Sequence, residues 1–331
     1  MLRVLALRLV AVIPVLLALA GIVFVLQQIS PVDPARAIVG EKASREVVDR
    51  QREKMGLDDP LPVQYGRYVG HVVTGDLGTS AVTRRPVSTD LGTYVPATVE
   101  LIVVAFVLAM LLGTLLGVVT ASGWRGSGAL RFVMIGGSSV PIFLASLLGV
   151  IVFYRNLGWL PATGRTGIRD TPDGPTGFLL LDGILNRRFD VTYDAWLHLV
   201  LPATCLTLGP AVAIGRVLRS SLQHTLRSDF VRTARSKGLG ERAVVLRHAL
   251  RNSIGPVLSM GGVQIAALFS GVILIEVIFA WPGVGLYTSQ AINKGDFTTV
   301  AGVTLMLGCL YVIANLVVDL LQAVADPRIR A

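Results

Sequence analysis

The chain has 331 residues, 53% of them hydrophobic and only 15% charged, and it carries a net charge of +9. A soluble domain of this length needs more charge to cover its surface, so an ordinary soluble enzyme is excluded. The basic residues fall between apolar runs, so they read as topology signals before they read as a nucleic-acid patch, and no nucleic acid is expected as a partner.

Six stretches are long enough to cross a hydrocarbon core of about 30 Å, which takes about 20 helical residues. They run approximately over 9–29, 95–121, 132–153, 197–217, 256–278 and 300–324. The first has Arg3 and Arg8 before it, like a signal peptide. Its apolar run exceeds the usual cleavable core, so it reads as a retained span. Pro14, Pro141, Pro202 and Pro210 sit inside or at the edges of the runs, as membrane helices tolerate.

Between the first two spans lies a long region that is not featureless. Ser44 is placed to cap a helix ending near Met55, with Gly56 as its stop. Pro62 opens a second helix, which Gly75 closes; Tyr65, Tyr68, Val69, Val72 and Val73 fall on one face. The region 154–196, rich in Gly, Pro and Asp, is expected to be irregular.

Orientation follows from the short loops. Arg125 and Arg131 flank one; Arg219, Arg227, Arg232, Arg235, Lys237, Arg242, Arg247 and Arg251 crowd another; Arg328 and Arg330 end the chain. The positive-inside rule places all three in the cytoplasm, with both termini. The expected architecture is all-α and polytopic, with six transmembrane helices. It divides into a first span at 1–29, an extracytoplasmic region at 30–94, and a five-helix core at 95–325 holding the cytoplasmic loop 218–253. A tail follows at 326–331.

The chain has no Gly-Lys dipeptide, so it lacks the phosphate loop that would bind ATP in that way. No zinc spacing and no nucleophile–base pair stands out, and His71, His198, His224 and His248 are scattered, so neither a catalytic nor a metal site is expected. Cys205 and Cys309 lie in apolar runs and read as packing residues.

The informative segment is Asp229-Phe-Val-Arg-Thr-Ala-Arg-Ser-Lys-Gly238-Leu-Gly240. Two short helical patterns flank a turn at Gly238, where Asp229 can cap the helix that follows it. Phe230, Ala234 and Leu239 form one apolar stripe, and Val244, Val245 and Leu246 a second. Such a surface suits anionic lipid headgroups or a groove in a cytoplasmic partner equally well.

This stretch resembles the coupling loop of binding-protein-dependent ABC importer permeases. Arg232-Thr233-Ala234 stand at the family's Glu-Ala-Ala positions and Gly238 at its Gly. Arg-Thr-Ala-Arg-x-Lys-Gly-Leu is the form of the dipeptide/oligopeptide branch. The likeness extends to Gly56-Leu-Asp-Asp-Pro, Gly75-Asp-Leu-Gly-Thr-Ser, Pro96-Ala-Thr-Val-Glu-Leu, Ser139-Val-Pro-Ile-Phe, Glu276-Val-Ile-Phe-Ala-Trp-Pro-Gly and Asp326-Pro-Arg-Ile-Arg. It departs at Asn293-Lys-Gly-Asp-Phe-Thr, where the branch commonly has an Arg-Asp-Tyr-Pro run.

The resemblance implies a type I importer fold and a non-catalytic permease subunit, the first of a pair, in the bacterial inner membrane. Its implied partners are a second homologous permease, two ATPase subunits or domains that hold the ATP and Mg, an extracytoplasmic solute-binding protein, and a short-peptide substrate. The same machinery importing nickel or glutathione is an alternative, and a secondary transporter is a remoter one. The resemblance assigns ATPase coupling to Asp229, Phe230, Arg232, Thr233, Ala234, Arg235, Gly238 and Leu239. Polar groups within the spans single out Glu276 and Asn315 as candidates for the translocation pathway, with a snorkelling or capping group near the interface the other reading of Glu276.

Overall fold

The computed structural model describes residues 2–29, 34–40, 43–121, 126–172 and 174–325. The tail motif from Asp326, and Arg125 of the loop it shares with Arg131, lie outside the described residues. In chain order the helices are α1 (Leu2–Ile29), α2 (Pro34–Val39), α3 (Arg45–Met55), α4 (Leu61–Val73), α5 (Val87–Ala121), α6 (Ser127–Ser139) and α7 (Ile142–Gly149). They continue with α8 (Leu179–Leu185), α9 (Phe189–Thr225), α10 (Asp229–Ser236), α11 (Glu241–Ala243), α12 (Leu250–Ile278), α13 (Val284–Asn293) and α14 (Phe297–Ala325). A π-helical turn at Val150–Asn156 prolongs α7, and another at Val244–Ala249 leads into α12.

Among the described residues five helices are long and apolar enough to cross a membrane: those at Val12–Ile29, Val87–Ala121, Phe189–Thr225, Glu241–Ile278 and Phe297–Leu320; a shorter apolar helix covers Ile142–Asn156. The expected span over 132–153 is therefore not one rod. α6 stops at Ser139, Val140 turns extended (φ −76°, ψ 122°), and Pro141 precedes α7. The cause is local: a proline ring clashes with a helical conformation of the residue before it.

The chain divides into two compact units, Met1–Val95 with Gly283–Val312, and Pro96–Pro282 with Ile313–Ala331. In the first unit Ser44 stands at the N-cap position of α3 but its side chain makes no cap bond, while the helix ends as expected on a left-handed Gly56 (φ 63°), whose N–H closes on Glu53. α4 lays Tyr65, Tyr68, Val69 and Val72 against Ala20 and Val23 of α1 and Ala301 and Leu305 of α14. Val73, expected on that face, points away and is exposed, because the last turn of α4 carries it past the edge of the stripe.

In the second unit α9 is the most enclosed long helix, with 67% of its apolar window buried against 33% or less in the others. α12 and α7 pack along it. Gly113 and Gly117 of α5 let α9 approach closely; an added Cβ would lie 2.7 Å from side-chain atoms of Ile214 and Leu218 respectively. Four residues apart, the two glycines form the small-residue contact by which membrane helices gain dispersion energy. Elsewhere the apolar side chains face outward, as at Val103, Val107, Leu111 and Leu115 of α5. The expected loop 218–253 is shorter than its bounds, since α9 runs on to Thr225 and helix resumes at Glu241.

Candidate functional site

The basic end of the second unit is built around α10. Ser228, not Asp229, is the N-cap: its backbone is extended, and Asp229 is the first helical residue. The Ser228 hydroxyl bonds back to the Thr225 carbonyl, so the capping expected of Asp229 is not made by its side chain. The Asp229 carboxylate instead accepts from Arg232 at 3.3 Å, and its carbonyl accepts from the Thr233 hydroxyl at 3.0 Å.

The segment from Asp229 to Leu239 has two apolar sides. Val231 and Ala234 turn inward and pack on Val244, with Leu226 beside them. Phe230 and Leu239 turn outward, 46% and 40% exposed. The expected stripe of Phe230, Ala234 and Leu239 is thus split, because Ala234 is needed to seat the helix. Val244 and Val245 are likewise buried, while Leu246 is exposed.

Gly238 has φ +79°, the left-handed conformation the turn was expected to need. Its N–H bonds to the Arg235 carbonyl at 2.9 Å, and the Leu239 N–H reaches Ala234 at 3.4 Å, closing the helix end. Arg235 then clips the turn shut. Its guanidinium donates twice to Glu241, at 2.6 and 3.0 Å, and that bond pushes the Arg235 pKa further up.

Beneath this segment Val245 and Ala249 pack with Leu218 and Leu222 of α9, Ala109 of α5 and Val257 of α12. The Ser253 hydroxyl bonds to that of Thr225 at 3.0 Å. The exposed pair therefore rests on side chains from three long helices. A push on Phe230 or Leu239 meets close-packed matter, which transmits strain rather than absorbing it.

At the opposite end of the same unit, two of the sequence motifs meet. In Pro96-Ala-Thr-Val-Glu-Leu, the Ala97 carbonyl accepts from the indole N–H of Trp281 at 3.0 Å, and Thr98 donates to Glu276 at 2.6 Å. Ala97, Leu101, Phe279 and Trp281 belong to one buried cluster. Glu100 accepts from Arg165 and from the Leu180 N–H at 2.9 Å. Arg165 also donates to the Gly177 carbonyl, and its guanidinium carbon lies 5.8 Å from the Trp281 ring centroid. The Gly164 N–H bonds to the Phe279 carbonyl, so the region expected to be irregular is held down at both ends of this cluster.

Glu276 is fully buried, and its carboxylate accepts from Thr98. Asn315 is half-buried, eighteen residues beyond Phe297 on α14, or about 27 Å along the helix. Of the eight residues to which the resemblance assigns coupling, seven are exposed on the segment 229–239 and Ala234 is buried beneath them; Glu276 and Asn315 lie on different helices, the first near the end of α12 and the second far along α14.

The first unit has its own polar centre, which local patterns did not reveal. Asp296 caps α14 through the Thr299 N–H at 3.1 Å, and it accepts from the hydroxyls of Ser80 at 2.6 Å and Thr299 at 2.8 Å. Asp90 accepts from Thr83 at 2.6 Å and Tyr287 at 2.7 Å. Gly75-Asp-Leu-Gly-Thr-Ser and Asn293-Lys-Gly-Asp-Phe-Thr are thus joined through Ser80 and Asp296, so the departing motif keeps the acid that matters to the joint.

Comparison with known proteins agrees with the resemblance seen in these motifs. Residues 109–331 match the model of the family described as "Binding-protein-dependent transport system inner membrane component", and residues 1–102 match its N-terminal companion. The chain belongs to that family. It is therefore an inner-membrane permease component with the type I importer fold. It is 39% identical to the dipeptide transport system permease protein DppB of Alkalihalophilus pseudofirmus, over 98% of each chain. Against the probable D,D-dipeptide transport system permease protein DdpB of Escherichia coli the identity is 40%, over 93% of this chain and 92% of the relative. The glutathione transport system permease protein GsiC of Salmonella typhimurium is 37% identical, over 98% of this chain and 97% of the relative.

Proposed function

We propose that the chain is one of two homologous permease subunits in an importer of short peptides, driven by ATP hydrolysed on separate subunits. The basic end faces the cytoplasm, where the arginines of 219–251 keep it. A solute-binding protein delivers cargo at the opposite end. ATP and Mg²⁺ belong to the ATPase partners; this chain has no phosphate loop of its own. The cargo follows from the dipeptide relatives, and glutathione, carried by relatives at 37% identity, is itself a tripeptide. Both fit a pathway for short peptides.

One observation carries the coupling role: two exposed apolar side chains, Phe230 and Leu239, flank a glycine turn, on a segment whose underside is packed onto three long helices. Apolar anchors rimmed by Arg232 and Arg235 suit a protein groove. Closure of the ATPase pair moves this segment, and the packed underside passes the motion to α5, α9 and α12. Asn315 lies along the pathway. Glu276 meets it only when the far ends of α5 and α12 part.

Cysteine crosslinking tests the reading. With Cys205 and Cys309 replaced by serine, Phe230→Cys and Leu239→Cys are each expected to crosslink to an ATPase subunit carrying groove cysteines. In a Phe230→Asp/Leu239→Asp double variant the ATPase should no longer co-purify. Absence of crosslinks together with normal co-purification of that variant would return the segment to the lipid-headgroup role.

A further inference from the structure

We infer that the end of the second unit remote from α10 holds a seat for one phospholipid, with an acyl chain in a groove between α5 and α8 and its phosphate at Arg187. The groove has a volume of about 280 Å³. Val99, Val103 and Val104 of α5 form one wall, and Phe178, Leu181 and Ile184 the other. Glu100 also borders the groove, with its carboxylate taken up by Arg165 and the Leu180 N–H. The volume is close to that of the smallest small-molecule sites, about 300 Å³, which suits a stretch of hydrocarbon chain better than a folded polar solute.

The depth of the groove fits the boundary of a bilayer. Val103 is eighteen residues from Ala121, the other end of α5, or about 27 Å at 1.5 Å per residue, and a hydrocarbon core is about 30 Å thick. A second helix gives the same level. Phe189, Tyr193 and Trp196 are exposed on one face of α9, and Trp196 lies twenty residues, about 30 Å, from Arg216 near the basic end. Exposed Tyr and Trp at one level are the mark of the headgroup region.

Charge selects a phospholipid over a partner helix as the occupant. Past Ile184 the chain turns, and the Arg187 N–H closes that turn on the Ile184 carbonyl at 3.1 Å. Arg187 holds a left-handed backbone (φ 56°), which is costly for a side-chain-bearing residue, and its side chain is exposed. Neighbouring Arg188 is engaged by Asp190 at 2.9 Å and Asp170 at 3.7 Å. Among the described residues no carboxylate pairs with Arg187. Arg187 lies three residues past Ile184 of the groove wall and nine residues before Trp196, on the outward side of the aromatic level, and a cation there matches the phosphate of a lipid whose chain enters the groove.

The test uses the assembled transporter in nanodiscs with phosphatidylglycerol carrying an acyl-chain diazirine. After irradiation, label is expected on the peptides containing Val99–Val104 and Leu181–Ile184. Val103→Trp fills the groove from a face already turned outward, and it should cut that labelling at least fivefold. Arg187→Asn removes the cation but tolerates the left-handed backbone, and it should cut labelling by phosphatidylglycerol while leaving that by a phosphate-free diacylglycerol unchanged. Labelling unaffected by either variant would overturn the inference, leaving only bulk lipid at this surface. So would efficient disulfide crosslinking of Val103→Cys to the companion permease, which would make the groove a subunit interface.

Discussion

Arg165 and Glu100 form an ion pair enclosed by protein, their side chains 15% and 6% exposed, across 65 residues of sequence. The pair pins the irregular region after α7 onto α5. Removing one partner of such a pair strands the other charge, at a cost of about 3 kcal/mol. Arg165→Ala is therefore expected to lower the melting temperature of the solubilised transporter, while Arg165→Met combined with Glu100→Gln recovers most of the loss. A single variant as stable as the parent would show that the pair is idle.

Gly238 has no neighbour within 4 Å of an added Cβ, so substitution there tests backbone conformation alone. A left-handed backbone costs a side-chain-bearing residue about 1–2 kcal/mol, and a β-branched one more. Gly238→Val should weaken ATPase binding about tenfold, since each 1.4 kcal/mol is a factor of ten, and Gly238→Asn should weaken it less. Membrane insertion should be unchanged in both. Titration of the permease pair with purified ATPase measures the difference.

Ala280 presents the opposite case. It closes α12 with φ +45°, flanked by hydrogen bonds from its own N–H to Val277 and from Trp281 to Glu276. This is the position at which helices favour glycine. Ala280→Gly should stabilise the protein by up to about 1 kcal/mol, read as a raised melting temperature.

Tyr65 and Tyr68 differ in what their hydroxyls do. Tyr65 donates to the Leu17 carbonyl at 2.7 Å, so Tyr65→Phe should cost about 1 kcal/mol. The Tyr68 hydroxyl is buried without a hydrogen-bond partner among the described residues, and burial pushes its pKa up to about 12. Tyr68→Phe should be neutral or stabilising. A phenol whose pKa is raised on folding supports the fold below its ordinary value of about 10 and loses that support as pH climbs toward 12. The Tyr68→Phe variant should lack this part of the alkaline loss in a melting-temperature series from pH 9 to 12.

Topology is tested by labelling intact cells. Ser44→Cys and Asp229→Cys both place a thiol at an exposed position, in a background without Cys205 and Cys309. An impermeant maleimide should label the first and spare the second. The reverse would invert the assignment of the basic end to the cytoplasm.

Much of this was legible in the chain. Run length gave the long helices, and proline and glycine gave the ends of α3 and α4, because those signals act within a few residues. The turn at Gly238 was legible for the same reason. The break at Val140–Pro141 was written in the sequence too, but an unbroken apolar run masked it. The close approach at Gly113 and Gly117 has a four-residue signature that an apolar run hides. What local reading could not reach was partnership. Nothing near Ala234 says that it faces Val244 while Phe230 faces out, and nothing near Asp296 names Ser80, 216 positions away. Glu100 stands inside Pro96-Ala-Thr-Val-Glu-Leu, yet its counter-charge lies in a region whose composition suggests only irregularity.

The hydrogen bond from Thr98 to Glu276 has a bearing on how the protein is made. An acid in a membrane-entering helix is costly, by a few kcal/mol at mid-membrane and less near the surface. Thr98 is synthesised 178 residues before Glu276, so α5 is already available when α12 leaves the ribosome. The order of synthesis thus supplies the receptor before the costly group arrives. A gene cut between α9 and α12 should yield a C-terminal fragment that is degraded when expressed alone and accumulates when the N-terminal fragment is expressed beside it.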